Sequence, residues 1–488
     1  MCGSGAGHRH EVSRRGFLQS LGVGATLVSQ SSRAYAGAAP ALVRTGTGGL
    51  KRKPKLKGAF LYVPTEQLER EGYYSWPGSS FKPEELEREY KKSFQALSSD
   101  LGFDIAWEDG PLYQPERFEQ LARSIEAEKP DAVVLAAFKK TVWQDHGPKL
   151  LEALSAPTVV LAPLGVLLIG SVRELETTPG VCMISSANPL EDVARPLHMI
   201  GTNVWMSESV ILNLQGDERK EEVRVPGLGT TVRTIPRQAF IDVFQAMGQT
   251  QEVRDLAQAY LSRAVEVVEP NEADVLDAAK SYFALKTVLE REKADALMME
   301  CLPGLKIPHE HVPPCMGFMS LRDQGIVAGC ESDLDATLTM MLLQNLFGKP
   351  GFQHNPAVDT EKNHYFCAHC TSASRMRGVD QDPEPIALRS HAEAGWGCVP
   401  RVLFSENQEV TISKYLRGEK PQILLYSGKI LRCPPIPPTG GCRTNAEIAL
   451  NELENVADLK GHHLCMVYGN YTQDLKRFSQ LNGIEVVI

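Results

Sequence analysis

The chain has 488 residues, 43% hydrophobic and 23% charged, with a formal net charge of -9. That length exceeds what one core supports, so two or three domains are expected, of ordinary globular composition. The acidic balance argues against nucleic acid as the main partner, because phosphate binding draws on a Lys/Arg surplus. No apolar run after the N-terminal leader reaches the roughly 20 residues that a membrane-spanning helix needs.

Residues 1–36 read as a twin-arginine signal peptide. Ser13-Arg14-Arg15-Gly16-Phe17-Leu18 carries the arginine pair, Leu18 to Val28 is a mildly apolar stretch, and Ala34-Tyr35-Ala36 supplies the small-x-small cleavage pattern. The expectation is a bacterial protein that engages the twin-arginine translocase and is exported, folded, to the periplasm. The basic run from Lys51 to Lys57 spans the end of the 37–55 linker and reads as a solvated segment. The 11 cysteines show no small-domain framework spacing, so a protein folded before export is expected to keep most of them as buried thiols, with a Cys433–Cys442 disulfide left open.

From residue 56 to 170, apolar strands at 56–63, 103–107, 131–138 and 157–163 alternate with helices at 83–101, 116–127 and 149–155. Strands apolar throughout and separated by helices imply a parallel sheet covered on both faces, with ligand crevices at the strands' C-terminal ends. A second α/β domain covers 171–350. Its strands are predicted at 181–185, 204–214, 230–235, 294–301, 317–321 and 325–328, and its helices at 190–200, 237–247, 251–267 and 271–293, the last capped by Asn271. After Gly351, short strands punctuated by Gly and Pro indicate a β-rich, barrel-like C-terminal domain over 351–488. The fold class is therefore α/β: two Rossmann-like domains with parallel sheets, followed by a β-rich domain.

The chemistry concentrates between Gly329 and Cys370. Glu331 stands where a strand gives way to a helix, Asp359 follows that helix, and His364 and His369 come next, with Gly461-His462-His463 late in the chain. Two carboxylates with imidazole form a hard ligand set that suits Mn²⁺, Mg²⁺ or Co²⁺ better than a thiolate-seeking ion. For Glu331 the competing reading is a helix-capping carboxylate. Cys367-Ala368-His369-Cys370 looks like half of a zinc knuckle, but no second pair has the matching spacing, so its cysteines read as buried thiols beside a functional His369. His309 and His311, in a Pro-bracketed loop, read as surface or crevice groups.

These residues carry a resemblance. Ala328 to Thr339 is similar to the metal-ligand Glu and following helix of the L-fucose isomerase/L-arabinose isomerase superfamily. Asp359 falls where L-fucose isomerases have their metal-binding Asp, and His463 to Gly469 resembles the segment with their metal-binding His. The resemblance implies a Mn²⁺-type aldose–ketose isomerase acting on a small sugar through an enediol. Glu331 and Asp359 would be catalytic carboxylates and ligands, His463 the third ligand, and a homo-oligomer the assembly. His369 is a substrate or outer-shell residue by similarity to the arabinose branch, and Arg443, Trp396 and His391 are further substrate-side candidates. The export leader, the loop after Asp359 and the short N-terminal domains depart from the L-fucose isomerases. Two other functions stand beside the isomerase: an exported carbohydrate-binding protein without turnover, and an epimerase or lyase on a sugar or sugar acid.

Overall fold

The computed structural model describes residues 52–72, 78–306, 309–435 and 441–488. Residues 1–36, read from the sequence as a signal peptide, and most of the 37–55 linker lie outside the described residues.

The first sheet contains β1 (Lys55–Leu61), β2 (Asp104–Trp107), β3 (Ala132–Ala137), β4 (Thr158–Pro163) and β5 (Val181–Ser186), in the order β2-β1-β3-β4-β5, all parallel. Every residue of β3 is buried, as a strand covered by helices on both faces requires. β5 belongs to this sheet, so the first α/β unit runs past residue 170, where the sequence placed its end. The reason is spatial: β5 pairs in parallel with β4 through a helical crossover over Ile169–Thr177, a helix that the sequence pattern does not reveal.

The second sheet uses β6 (Val210–Leu214), β7 (Val223–Arg224), β8 (Thr231–Ile235), β10 (Ala296–Met299) and β11 (Ala328–Cys330), in the order β11-β10-β6-β8-β7. All its pairings are parallel except that of β7 on the edge. Three predicted elements change here. The strand expected over 204–214 is helix Ala194–Glu208 followed by β6, and the strand expected over 317–321 is helix Cys315–Asp323. Both helices are buried almost all round, which removes the amphipathic 3.6-residue period that would have marked them. The helix expected over 251–267 stops at Arg263, and β9 (Ala264–Val267) turns away to pair with the C-terminal part. Asn271 caps its helix as expected, in a capping box with Asp274.

The C-terminal domain is a six-stranded antiparallel barrel. Its strands are β12 (Phe352–Asp359), β13 (His364–His369), β16 (Glu409–Leu416), β17 (Gln422–Arg432), β18 (Thr444–Leu450) and β19 (Leu464–Tyr468). They run β16-β19-β12-β13-β18-β17, and β17 pairs back with β16, so the barrel has no free edge among these strands. β20 (Glu485–Val487) adds to β17, while β14 (Ile386–Arg389) and β15 (Val399–Val402) form a small sheet with β9. Among the described residues no helix is long and apolar enough to cross a membrane.

The barrel and the second sheet meet at β11. Gln353 of β12 accepts from the Cys330 amide and donates to the Cys330 carbonyl, at 2.9 and 3.2 Å. At Gly329 a Cβ would lie 2.0 Å from Thr337 Oγ1, so only glycine lets helix Leu334–Phe347 pack this closely on β11. The C-terminal end of the second sheet is thus pressed against one end of the barrel.

Candidate metal centre and its relatives

Glu331 follows β11 directly, at the C-terminal end of the sheet, where α/β folds present their ligands. It does not cap the next helix. That role falls to Asp333, whose side chain accepts from the Ala336 amide at 2.9 Å. Between strand and cap, Glu331 and Ser332 take left-handed backbone angles (φ 57° and 52°), and His463 does the same (φ 50°). For residues with a Cβ this conformation costs roughly 1–2 kcal/mol each, a strain found most often at functional sites.

The strained turn aims the Glu331 carboxylate at two imidazoles. His369 Nε2 is 3.5 Å from Oε1 and His463 Nε2 is 3.6 Å from Oε2. Both nitrogens are buried and have no hydrogen-bond partner among the described residues. The opposite nitrogens are engaged: His463 Nδ1 bonds Asp333 at 2.9 Å, and His369 Nδ1 lies 3.5 Å from Cys370 Sγ. A carboxylate on Nδ1 fixes the tautomer that leaves the Nε2 lone pair free, the usual arrangement behind a metal-ligating histidine. Lys414 Nζ also bonds Asp333, at 2.9 Å, and holds the carboxylate in place.

The electrostatics follow from burial and neighbours. Burial raises the Glu331 carboxyl above its ordinary range; the His463 imidazole opposes this, and the Glu393 and Asp333 charges add to it. Burial acts on Asp333 in the same direction, but bonds from His463, the Ala336 amide and Lys414 overcome it and hold Asp333 well below the carboxylate range. Burial pushes the His369 imidazole well down, and the His463 and Arg322 charges push it further, so its neutral form is favoured. One carboxylate and two neutral-capable imidazoles, each with an unspent lone pair, fit a divalent cation of the Mn²⁺, Co²⁺ or Zn²⁺ type.

The structure does not bring Asp359 to this site. It lies at the far end of β12, five residues or about 17 Å of strand beyond His354. Its carboxylate bonds the Lys362 amide and ammonium at the turn into β13. The reason is the strand between: sequence spacing from the helix does not show that β12 carries the chain along the barrel wall and away from Glu331. The β12 face that meets Cys330, through Gln353, carries Asn355 instead. Asn355 pairs with Ala368, and Ala368 pairs in turn with Asn445 of β18. The side-chain oxygens of Asn355 and Asn445 are both buried without a hydrogen-bond partner among the described residues. Replacing Asp359 by Asn is therefore expected to change metal affinity and turnover by no more than about twofold, as for an ordinary surface substitution, measured by isothermal titration and steady-state assay.

Two of the substrate-side candidates, His391 and Trp396, occupy the loop after β14, and Arg443 bonds back to its start. His391 is buried, its Nδ1 accepting from the Ala394 amide at 3.2 Å, and its pKa is pushed down to about 4 by burial and by Arg443. Trp396 packs its ring 4.0 Å from that of His309, centroid to centroid, which makes His309 part of the crevice wall. Arg443 is less free than expected: it donates to the Ser390 carbonyl at 3.0 Å and lies 3.8 Å from Glu269. Glu269 is held down to about 2, chiefly by its paired bonds from Arg389.

Asp333, Lys414, Asn355 and Asn445 were missed in the sequence. Asp333 had a legible signal, as an N-cap residue three before Ala336; the other three are defined by strand register alone.

No protein-family model matches the chain. Two curated relatives do. The sulfoquinovose isomerases of Priestia aryabhattai and Priestia megaterium (strain ATCC 12872 / QMB1551) are each 22% identical to it over 274 residues. The match covers 55% of this chain and 60% of each relative, so the chain spans less than two thirds of the curated relatives it matches. The similarity is distant.

Proposed function

We propose that the protein is a metal-dependent sugar isomerase whose working group is Glu331, set between the free Nε2 atoms of His369 and His463. The observation that carries this reading is the convergence of three unspent ligand atoms from three distant segments, 3.5 and 3.6 Å from carboxylate to imidazole. The similarity to sulfoquinovose isomerases supports it independently. A divalent ion held there would polarise the carbonyl and adjacent hydroxyl of an open-chain aldose and acidify the C2 proton. Glu331, His369 and His463 would hold the ion, with the Asp333 carboxylate keeping the ring proton of His463 on Nδ1. Glu331, its proton affinity raised by burial, is suited to hold a proton in transit between carbon and oxygen. Asn355 and Asn445 offer amide oxygens to sugar hydroxyls. Export by the twin-arginine route, read from residues 1–36, would place the activity in the periplasm.

The test is solvent exchange. Full-length protein loaded with Mn²⁺ is incubated in D₂O with an aldose panel that includes sulfoquinovose, and the C2 proton is followed by NMR. Exchange with at least one sugar, lost on chelation, is expected; no exchange with any of them rejects the isomerase. A second reading, a carbohydrate-binding protein without turnover, is favoured by one observation. Where Asp359 was expected as a second carboxylate, the β12 face that meets Cys330 carries the neutral Asn355. Saturable sugar binding without exchange would select it.

A further inference from the structure

The thiols around Cys370 form a cluster that the chemistry above does not use. Cys315, Cys370 and His391 place one ligand atom each within 4.8 Å of one another, and all three residues are buried. Cys442 packs on the same group, and the Cys370 thiol is within hydrogen-bonding range of both the Cys315 and Cys442 thiols. Four segments supply these residues: the N-terminus of helix Cys315–Asp323, the end of β13, the loop after β14, and the residue two before β18. Thr371 locks two of the segments together by donating to the Cys315 carbonyl at 2.7 Å.

We propose that Cys315, Cys370, Cys442 and His391 form a second, thiolate-rich metal site of the kind that takes Zn²⁺, sharing a wall with the Glu331 centre. Three thiolates and one imidazole are a closed tetrahedral set, with metal–sulfur and metal–nitrogen bonds of about 2.3 and 2.0 Å, which put neighbouring ligand atoms about 3.5–3.8 Å apart. The ligand atoms of Cys315, Cys370 and His391, within 4.8 Å of one another, meet that requirement after small side-chain rotations, and Cys442 joins them through its contact with Cys370.

Two unsatisfied groups point the same way. His391 is 1% exposed, and its Nε2 has no hydrogen-bond partner among the described residues. Coordination through Nε2 moves the ring proton to Nδ1 and gives up the long 3.2 Å bond from Ala394. Arg322 is also 1% exposed, and no carboxylate reaches its guanidinium among the described residues. It donates instead to the carbonyls of Ala328 and Thr371 and lies 3.8 Å from Cys330 Sγ. A buried cation without a counter-charge is costly. A dication on three thiolates carries a net charge of about -1 beside Thr371 and so supplies one. Bonding with Cys370, then burial, pushes the Cys442 thiol far above its ordinary range. Binding of a dication by three cysteines as thiolates would release their thiol protons to solvent.

The sequence concealed this site. Cys367, the nearer half of the apparent knuckle, points into the barrel and bonds the Ala446 carbonyl, while Cys370 finds its partners 55 residues before it and 72 after it in the chain. Cys433, considered as a partner for Cys442, instead bonds the Phe404 carbonyl, and both thiols are free.

The site is tested by titrating reduced, metal-free, full-length protein with Co²⁺ and recording the near-ultraviolet thiolate-to-cobalt charge-transfer band. One equivalent should saturate the band, and Zn²⁺ should bleach it. The band should survive in Glu331→Gln and in the control Cys433→Ser, fall by about a third per thiolate in Cys442→Ser, and need at least tenfold more Co²⁺ in His391→Ala. Circular dichroism confirms that each variant is folded. A folded wild-type protein without the band overturns the proposal, as does a band lost in Glu331→Gln. Peptide mapping of the unreduced protein that shows a disulfide among Cys315, Cys370 and Cys442 overturns it as well.

Discussion

Replacing Glu331 by glutamine is expected to abolish C2 proton exchange, by a factor on the order of 10²–10⁴, and to weaken Mn²⁺ binding, with the fold intact. Glutamine keeps the shape but loses the charge that faces two imidazole lone pairs at 3.5 and 3.6 Å. The more telling variant is Glu331→Gly. At φ 57° the glutamate backbone is strained, and glycine adopts that angle without a Cβ penalty. Glu331→Gly should therefore unfold at higher denaturant, by about 1 kcal/mol, while losing all exchange activity. A variant that is more stable and inactive would show that the turn is kept for the carboxylate rather than for the fold. If Glu331→Gln kept full Mn²⁺ affinity, the centre would have to be placed elsewhere.

The second large effect is expected at Asp333, which has three tasks. It caps helix Leu334–Phe347, orients His463, and pairs with Lys414, which is 7% exposed at its side chain. Losing the cap costs about 1 kcal/mol. Leaving a buried ammonium without its carboxylate costs about 3–5 kcal/mol. Lys414 keeps the His462 carbonyl at 2.5 Å, so the lower end of that range is expected. Asp333→Ala should lose both contributions in urea unfolding, and Asp333→Asn, an adequate cap, only the second. Both should weaken metal binding about 10–100-fold through the released His463 ring. Adding Lys414→Met to Asp333→Asn should restore most of the stability and none of the affinity. Recovery of affinity in the double variant would disprove the orienting role.

These two residues also show what could be read in advance. Glu331 was visible because a carboxylate at a strand–helix junction is a local pattern, and the capping alternative was equally visible. Two residues on, Asp333 took the cap, which left Glu331 free. Asp359 shows the opposite failure. Its type and spacing were right for a ligand, but β12 runs along the barrel and carries it about 17 Å from the position where the strand meets β19. Asn355, on the β12 face that meets Cys330, carries no sequence signal of its own.

The sequence by itself determined the class of the protein: alternating apolar strands and helices, then short strands broken by Gly and Pro, dictate two parallel α/β units and a β-rich end, because side-chain periodicity is a local property. The lack of a disulfide-framework spacing also indicated buried thiols, and most of the described cysteines are buried and free. Only the tertiary structure decided which groups meet. Barrel closure brings position 463 beside position 354 and sets Asn355, Ala368 and Asn445 in one row; packing of β11 against β12 then delivers Glu331 to them. The thiols at 315, 370 and 442 converge by the same contacts. Such meetings depend on strand register and sheet order, which are summed over the whole fold and leave no mark at the residues they join.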